Sequence, residues 1–586
     1  MSDEQRRAVR IANASGFFGD RMSAFVEVVR GGPVDVVTGD YMAEVTMAVL
    51  AKQRAKNPAL GYVPTFLKQI APVLAEIVAR DIRVIVSAGG LNPSGLADAM
   101  RALSTKVGVS PKIAVVAGDD LAGRLDELRT ANGGFRSLES GVELPTEPGF
   151  VYTANAYLGA WGIVRALQEG ANIVLCSRVT DASLVVGAAA WWHGWKRDDW
   201  DRLAGAVAAG HVIECGPQAT GGNFSSFRDI ADLSRPAFPF AEVATDGSSV
   251  IGKHPGQGGA VTVGTVTAQL VYEVQTTRYL NPDVVTRLDT IHLEQLGVDR
   301  VAIRDVQGEP PPETTKVAIT CRGRFRNVLT LAFVGLDIDE KIALFERTTR
   351  AAIDPAKVSV EFTRIGTPKT DADSQDEATV LLRVVGTSDD EDAVGRAFSS
   401  GLIEQALSSY PGMFATEVPG GAREATEYFP TLVRQIDLSH SVTHDDGRIE
   451  IVDVPPTMRA VSDTTSSPRV PSSSFGETVR GPLGLVVDAR SGDKGSDANV
   501  GLWVRTDAAY DWLSAEVTVE RFRQLLPEAA SLTIERYDLP NLRALNFIVR
   551  GLLSGGAIAT RRFDRQAKAL GEFIRSRWVE LPKKLL

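Results

Sequence analysis

GANIVLCSRVTDASLVVGA, residues 170–188, holds the pattern on which the fold turns. A short β-branched run, IVL (173–175), leads into the polar stretch CSRVTDAS (176–183), and an apolar segment of helical character follows. The same design occurs four times upstream. VRI (9–11) leads into ANASGFFGD (12–20), and VDVV (34–37) into TGDYMAE (38–44). VIV (84–86) leads into SAGGLNPSG (87–95), and IAVV (113–116) into AGDD (117–120). Between them lie segments such as TFLKQIAPVLAEIVA (65–79), with apolar residues at spacings of three and four. Strands alternating with helices imply βαβ units and a largely parallel sheet. Ligands of such sheets bind outside the carboxyl ends of the strands, so all five polar loops are expected at one functional edge.

Toward the C-terminus the pattern changes. AVTVGTVTAQLVYEV (260–274) and the runs at 316–321, 327–334, 358–365 and 379–385 read as longer, mostly antiparallel strands. Ser388 is expected to cap a helix ahead of DDED, which stops before Tyr410-Pro411-Gly412. The expected organisation is an α/β part over about 1–254, an α+β part over 255–460 and a Ser-, Thr- and Pro-rich linker at 461–480. A small α+β domain at 481–586 follows, with a strand GLVVDA, a loop RSGDKGSDANVG, helices near 518–526 and 564–578, and a strand at 532–537.

At 586 residues the chain is long enough for two or three domains. Its 63 Lys and Arg against 73 Asp and Glu give a net charge of −10, which argues against a broad nucleic-acid footprint. The three cysteines, Cys176, Cys215 and Cys321, have no metal or disulfide spacing and read as reduced thiols of a cytoplasmic protein. The first residues lack the apolar core of a secretory signal, and no run of about 18 apolar residues predicts a membrane span. No G-x-G-x-x-G, P-loop, G-x-S-x-G or H-E-x-x-H pattern occurs, so no nucleotide cofactor, hydrolase elbow or metal is expected. The Gly-rich stretches ECGPQATGGN (214–223) and GQGG (256–259) read as connecting turns. A chain of this size is expected to form a homo-oligomer.

Several side chains in the loops carry chemistry. Asp40, Tyr41 and Glu44 form an acid cluster suited to proton transfer, although Asp40 capping a helix from Tyr41 accounts for that residue equally. Arg178 and Asp181 follow the strand at 173–175, where Arg178 either binds a substrate carboxylate or bridges to Asp181. Cys176, just ahead of them, reads as a buried, inert thiol. Asn13, Ser15, Asp20, Asn92 and Ser94 lie in the same set of loops and are candidate ligand contacts. In the C-terminal domain, Arg490, Ser491, Asp493 and Lys494 form either an anion cradle between glycines or a polar turn tied by its own ion pair.

These segments also carry a resemblance. IANASGFFGD, TGDYMAE, SAGGLNPSGL, ANAYLGAWGIVRALQEGANIVLCSRVTDASLVVG, GHVIECGPQATGGNF and GQGGAVTVGTVTAQLVYEV follow one another as in the acyclic terpene utilisation AtuA family. The tail DARSGDKGSDANVG with LPNLRALNFIVRGLLSGGAIATRRFDRQAKALGEFI resembles that family's C-terminal ferredoxin-fold domain. The resemblance implies catabolism of branched acyl thioesters, with CoA as part of the substrate. With the loop chemistry it gives two expectations, a hydratase- or lyase-type enzyme or a non-catalytic subunit that holds a thioester for a partner, while Arg490 and Lys494 among glycines suggest a third, a sugar- or nucleotide-phosphate enzyme. Catalysis is expected from Asp40, Tyr41 and Asp181.

Overall fold

The computed structural model describes residues 7–406, 408–460 and 475–586. Residues 461–474 of the expected linker lie outside the described residues. The chain forms two compact units, one from the residues up to Thr320 with Tyr428–Leu586, the other from Cys321–Glu427. This division differs from the expected break near residue 255. Residues 292–304 add two strands to one edge of the first sheet, residues 441–451 add two to the other, and the C-terminal domain belongs to the same unit.

The apolar runs form strands β1 (Val9–Asn13), β2 (Val36–Gly39), β3 (Arg83–Val86) and β4 (Ile113–Ala117). Strand β5 (Val151–Ala156) lies in a separate three-stranded sheet with Thr314–Cys321 and Glu427–Arg434, and β6 (Ile173–Cys176) is the fifth apolar run. Parallel pairing runs β1-β2-β3-β6-β4. Strands β7 (Pro239–Val243) and β8 (Ser249–Lys253) extend the sheet antiparallel beyond β1, within 11 strands in all.

Helices cover both faces, which is why these strands read as unbroken apolar runs. Alternate residues serve opposite cores. Val36, Ile85 and Val174 pack with Trp161, Val185 and Val207, whereas Val37, Val84 and Leu175 pack with Phe25, Phe66 and Met100.

Three sequence expectations give way to local chemistry. AVTVGTVTAQLVYEV is not a strand: it contains the helix Val263–Leu270. Thr262 Oγ1 accepts from Thr265 N at 3.1 Å, and Thr265 Oγ1 from Thr262 N at 3.0 Å, a reciprocal cap that outweighs the β-branched composition. The stretch 65–79 breaks into Pro64–Ile70 and Leu74–Ala79 around Pro72, which offers no amide hydrogen. Asp390 rather than Ser388 caps the short helix Glu391–Val394, while Ser388 Oγ accepts from Asp390 N.

The C-terminal domain is a four-stranded antiparallel sheet in the order Asp488–Lys494, Asp497–Trp503, Ala544–Val549, Ile534–Leu539. The expected RSGDKG loop is therefore the end of a strand, closed by the two-residue turn Gly495-Ser496. Helices Asp507–Glu516, Val519–Leu525 and Leu570–Arg575 accompany the sheet, so the helix expected at 564–578 is confined to its middle, and the strand Trp578–Pro582 that follows pairs with Thr478–Pro482. Val500, Leu502, Phe522 and Phe547 make its core, where the two Phe rings stack at 4.1 Å. Each fully buried Phe contributes about 1.5–3 kcal/mol. The opposite face meets the first part of the chain. Asn499 Oδ1 accepts from Glu273 N at 2.8 Å, and Asn546 Nδ2 donates to Val274 O at 2.9 Å.

The unit Cys321–Glu427 holds an antiparallel sheet ordered Ser359–Ile365, Thr379–Ser388, Phe325–Val334, Met413–Ala415. Phe333, Phe345, Val384 and Phe398 fill its core, with Phe345 supplied by the helix Ile338–Ala352. Among the described residues no helix is long and apolar enough to cross a membrane.

Candidate active site

The polar loops at the carboxyl ends of β2 and β6 meet at Arg178. Its Nη1 donates to Asp181 Oδ1 at 2.7 Å and to Met42 O at 2.9 Å, so one guanidinium ties the two loops together. Arg178 is 4 % exposed, and its guanidinium lies 4.0 Å from the centre of the Tyr157 ring, just beyond β5. The loop after β4 sets the Arg178 backbone. Asp119 Oδ2 accepts from Arg178 N at 3.2 Å and from Asn155 Nδ2 at 2.7 Å. Burial pushes the Asp119 carboxyl up to about 6.

Asp40 sits on the other side of this arginine. It does not cap a helix from Tyr41, because the helix begins at Glu44. Instead its Oδ1 accepts from Ser87 Oγ at 2.5 Å and from Met42 N at 3.1 Å. Burial and the Asp181 charge push its carboxyl up to about 8, although Arg178 opposes them. Asp40 is thus an acid poised to carry a proton near neutrality.

Lys494 reaches this group from the C-terminal domain. Burial works against its ammonium, but Glu273, Asp181, Tyr157 and Glu44 outweigh burial and hold the proton more tightly than usual. Gly492, two residues earlier on the same strand face, has no room for a Cβ against the Tyr272 ring. Arg490, two residues earlier again, places its guanidinium 4.2 Å from the centre of that ring and donates to Gln218 Oε1. Lys568 donates to the Tyr272 hydroxyl and lies 3.8 Å from Glu273 Oε1. Glu273 itself has φ +55°, a left-handed backbone that is costly for a residue with a Cβ. Gly495, at φ +66°, turns the hairpin beside the Tyr428 ring. Lys316 lies over the rings of both Tyr157 and Tyr428, at 5.3 and 5.2 Å.

Glu214 Oε2, Asp493 Oδ1, Arg490 Nε and Tyr428 Oη are buried around this group without a hydrogen-bond partner among the described residues. Orphaned polar atoms are rare in protein interiors, and four of them around one group mark it as a candidate ligand site. Among the described residues no group of three or more His, Cys, Asp or Glu is arranged to hold a metal ion.

Residues 9–444 match the family described as acyclic terpene utilisation family protein AtuA, and residues 482–580 match the AtuA ferredoxin-like domain. The chain belongs to the AtuA family. No curated protein matches it. In this AtuA-family protein the ferredoxin-like domain supplies Arg490, Asp493, Lys494 and Lys568, and the larger family region supplies Asp40, Arg178, Asp181 and Glu273.

The other candidate residues go elsewhere. Tyr41 turns into the apolar core, where its hydroxyl donates to Gln69 Oε1 at 2.5 Å. Asp20 caps the turn around it, accepting from Gly16 N and Arg21 N, both at 2.9 Å. Asn13 Nδ2 donates to Ile213 O and Glu214 O, each at 2.7 Å, which fixes the end of the helix Trp200–Glu214. Ser15 donates to Phe17 O, and Asn92 caps the helix Pro93–Val107 through Gly95 N, with Ser94 exposed beside it. Ser491 bonds Ala567 O and Gly571 N inside the ferredoxin-like domain. Sequence reasoning missed Tyr157, His211, Glu214, Glu273, Lys316, Tyr428 and Lys568 as site residues. Only the Gly-rich stretch beginning at Glu214 hinted at any of them.

Proposed function

We propose that this AtuA-family chain is a hydratase- or lyase-type enzyme that moves protons on a branched, terpenoid-derived acyl thioester, with CoA entering as part of the substrate. One observation carries the reaction type: Asp40, an acid whose carboxyl is raised to about 8, stands beside the ion pair of buried Arg178 with the partly exposed Asp181. A carboxyl near its midpoint at neutral pH both gives and takes protons efficiently. Arg178 and Lys494 are fixed cations in a largely buried site, suited to the negative charge that develops on a thioester oxygen when a neighbouring carbon loses a proton. The family's description, acyclic terpene utilisation, supports the substrate class.

The test is a mass-spectrometric screen of the pure protein with branched enoyl-CoA and hydroxyacyl-CoA thioesters, beside free CoA and phosphosugars. Gain or loss of water, or of a carbon fragment, supports the reading. Binding without conversion points instead to a subunit that holds a thioester for a partner enzyme.

A further inference from the structure

We infer that Glu214 is a second proton-carrying catalytic carboxylate of this site, and that His211 is the positioning residue that holds it. The inference rests on the acid–base reading above. His211 and Glu214 lie on consecutive turns of the helix Trp200–Glu214, and both are buried, at 2 % and 8 % exposure. His211 Nε2 faces Tyr272 O at 3.1 Å, which fixes a proton on that nitrogen. Its Nδ1 faces Glu214 Oε1, also at 3.1 Å, so a single proton serves both atoms. Glu214 Oε2 is left buried with no partner.

The helix face that carries Glu214 abuts the catalytic loop. Gly210 is one turn back on that face, and a Cβ there would stand 3.0 Å from Ala182 Cα, beside Asp181. Nothing larger than glycine brings the helix end so close. Asn13 anchors the same helix end through the carbonyls of Ile213 and Glu214.

Burial and the charges of Asp181 and Glu273 raise the Glu214 carboxyl, while His211 works to lower it. Lys494 opposes the His211 charge, and Glu273 favours it. Tyr279 and Cys215 also face the pair. In the proposed step Glu214 Oε2 takes a proton from a substrate C–H or O–H, and the bonding electron pair stays on the substrate. The proton shared by Oε1 and Nδ1 remains in place, so the pair gains one positive charge, and Asp181 and Glu273 offset it. Return of the proton to product restores the pair.

The experiment measures kcat and KM against pH for full-length wild type, Glu214→Gln, His211→Gln and Asp40→Asn, with folding checked by thermal melting. Glu214→Gln is expected to lower kcat about 100-fold or more with KM nearly unchanged, the scale of a lost general base. His211→Gln removes the charge that lowers the Glu214 carboxyl, so the acidic limb of its kcat profile should move to higher pH, a shift that a purely structural role does not produce. Wild-type kcat in Glu214→Gln, with Asp40→Asn inactive, overturns the inference and spares the wider reading. A wild type that converts no thioester overturns both. Should Glu214→Gln fail to fold, an unshifted acidic limb in His211→Gln overturns the inference.

Discussion

The Arg490 guanidinium lies 4.2 Å from the centre of the Tyr272 ring, and this stack joins the ferredoxin-like domain to the larger family region. Arg490, Gly492 and Lys494 share one strand face. The stack that seats Arg490 therefore also aims Lys494 at Glu273 and Asp181. The candidate site draws side chains from both family regions.

Gly492 sets how closely they approach. Gly492→Ala would drive a Cβ into the Tyr272 ring, an overpacking that should cost about 1–3 kcal/mol. Turnover should fall with stability, since Lys494 is carried on the same strand. Urea unfolding and steady-state assays check this, and an alanine variant with wild-type stability contradicts the close docking.

Arg178 is held by Asp181, Met42 O and the Tyr157 ring. Arg178→Ala leaves the acids Asp40 and Asp181 facing one another without their cation. The expected loss is about 1–3 kcal/mol of stability, since Asp181 is partly exposed to solvent, together with loss of turnover. Denaturant titration measures the first, and a melting curve unchanged from wild type contradicts it.

Tyr41 and Asp40 are neighbours with opposite fates. Tyr41→Phe removes the hydroxyl's bonds to Gln69 and Ser15 in the core, so stability should fall by about 1–3 kcal/mol while kcat changes less than tenfold. Asp40→Asn should abolish turnover. Equal loss of kcat in the two variants would put Tyr41 back in the mechanism.

This pair shows what the sequence makes legible and what it hides. The five apolar runs and their loops are readable because a doubly covered parallel sheet demands unbroken apolar strands. Asp40, Arg178 and Asp181 are readable because they fall directly after strands. Side-chain direction within a loop is not readable, which is why Tyr41 reads as catalytic and Asn13 as a ligand contact. Glu214 and His211 close an apolar helix, where their types carry no signal, and Glu273 gains its place through contacts over 200 residues away in sequence, at Asn499. The helix Val263–Leu270 was hidden because its Val and Thr content favours a strand until the Thr262–Thr265 cap is known.

Asp40 also makes a pH prediction. Its carboxyl is raised from 3.8 to about 8 in the folded protein, so the folded state holds a proton that the unfolded state has lost. Its contribution is fully present below about pH 4 and declines as pH rises toward about 8. Asp40→Asn abolishes this dependence, and relative to wild type the variant should gain stability between pH 5 and 8. Urea unfolding at pH 5, 6.5 and 8 measures the difference, and a constant difference contradicts the raised carboxyl.

The most direct test is a thioester conversion assay by mass spectrometry on full-length wild type and Lys494→Gln, with both confirmed to be folded. Wild type is expected to change a branched acyl-CoA by the mass of water or a carbon fragment, and Lys494→Gln to slow this at least 100-fold. Equal conversion by the two proteins would contradict a site shared between the domains, and no conversion by wild type would contradict the enzyme itself.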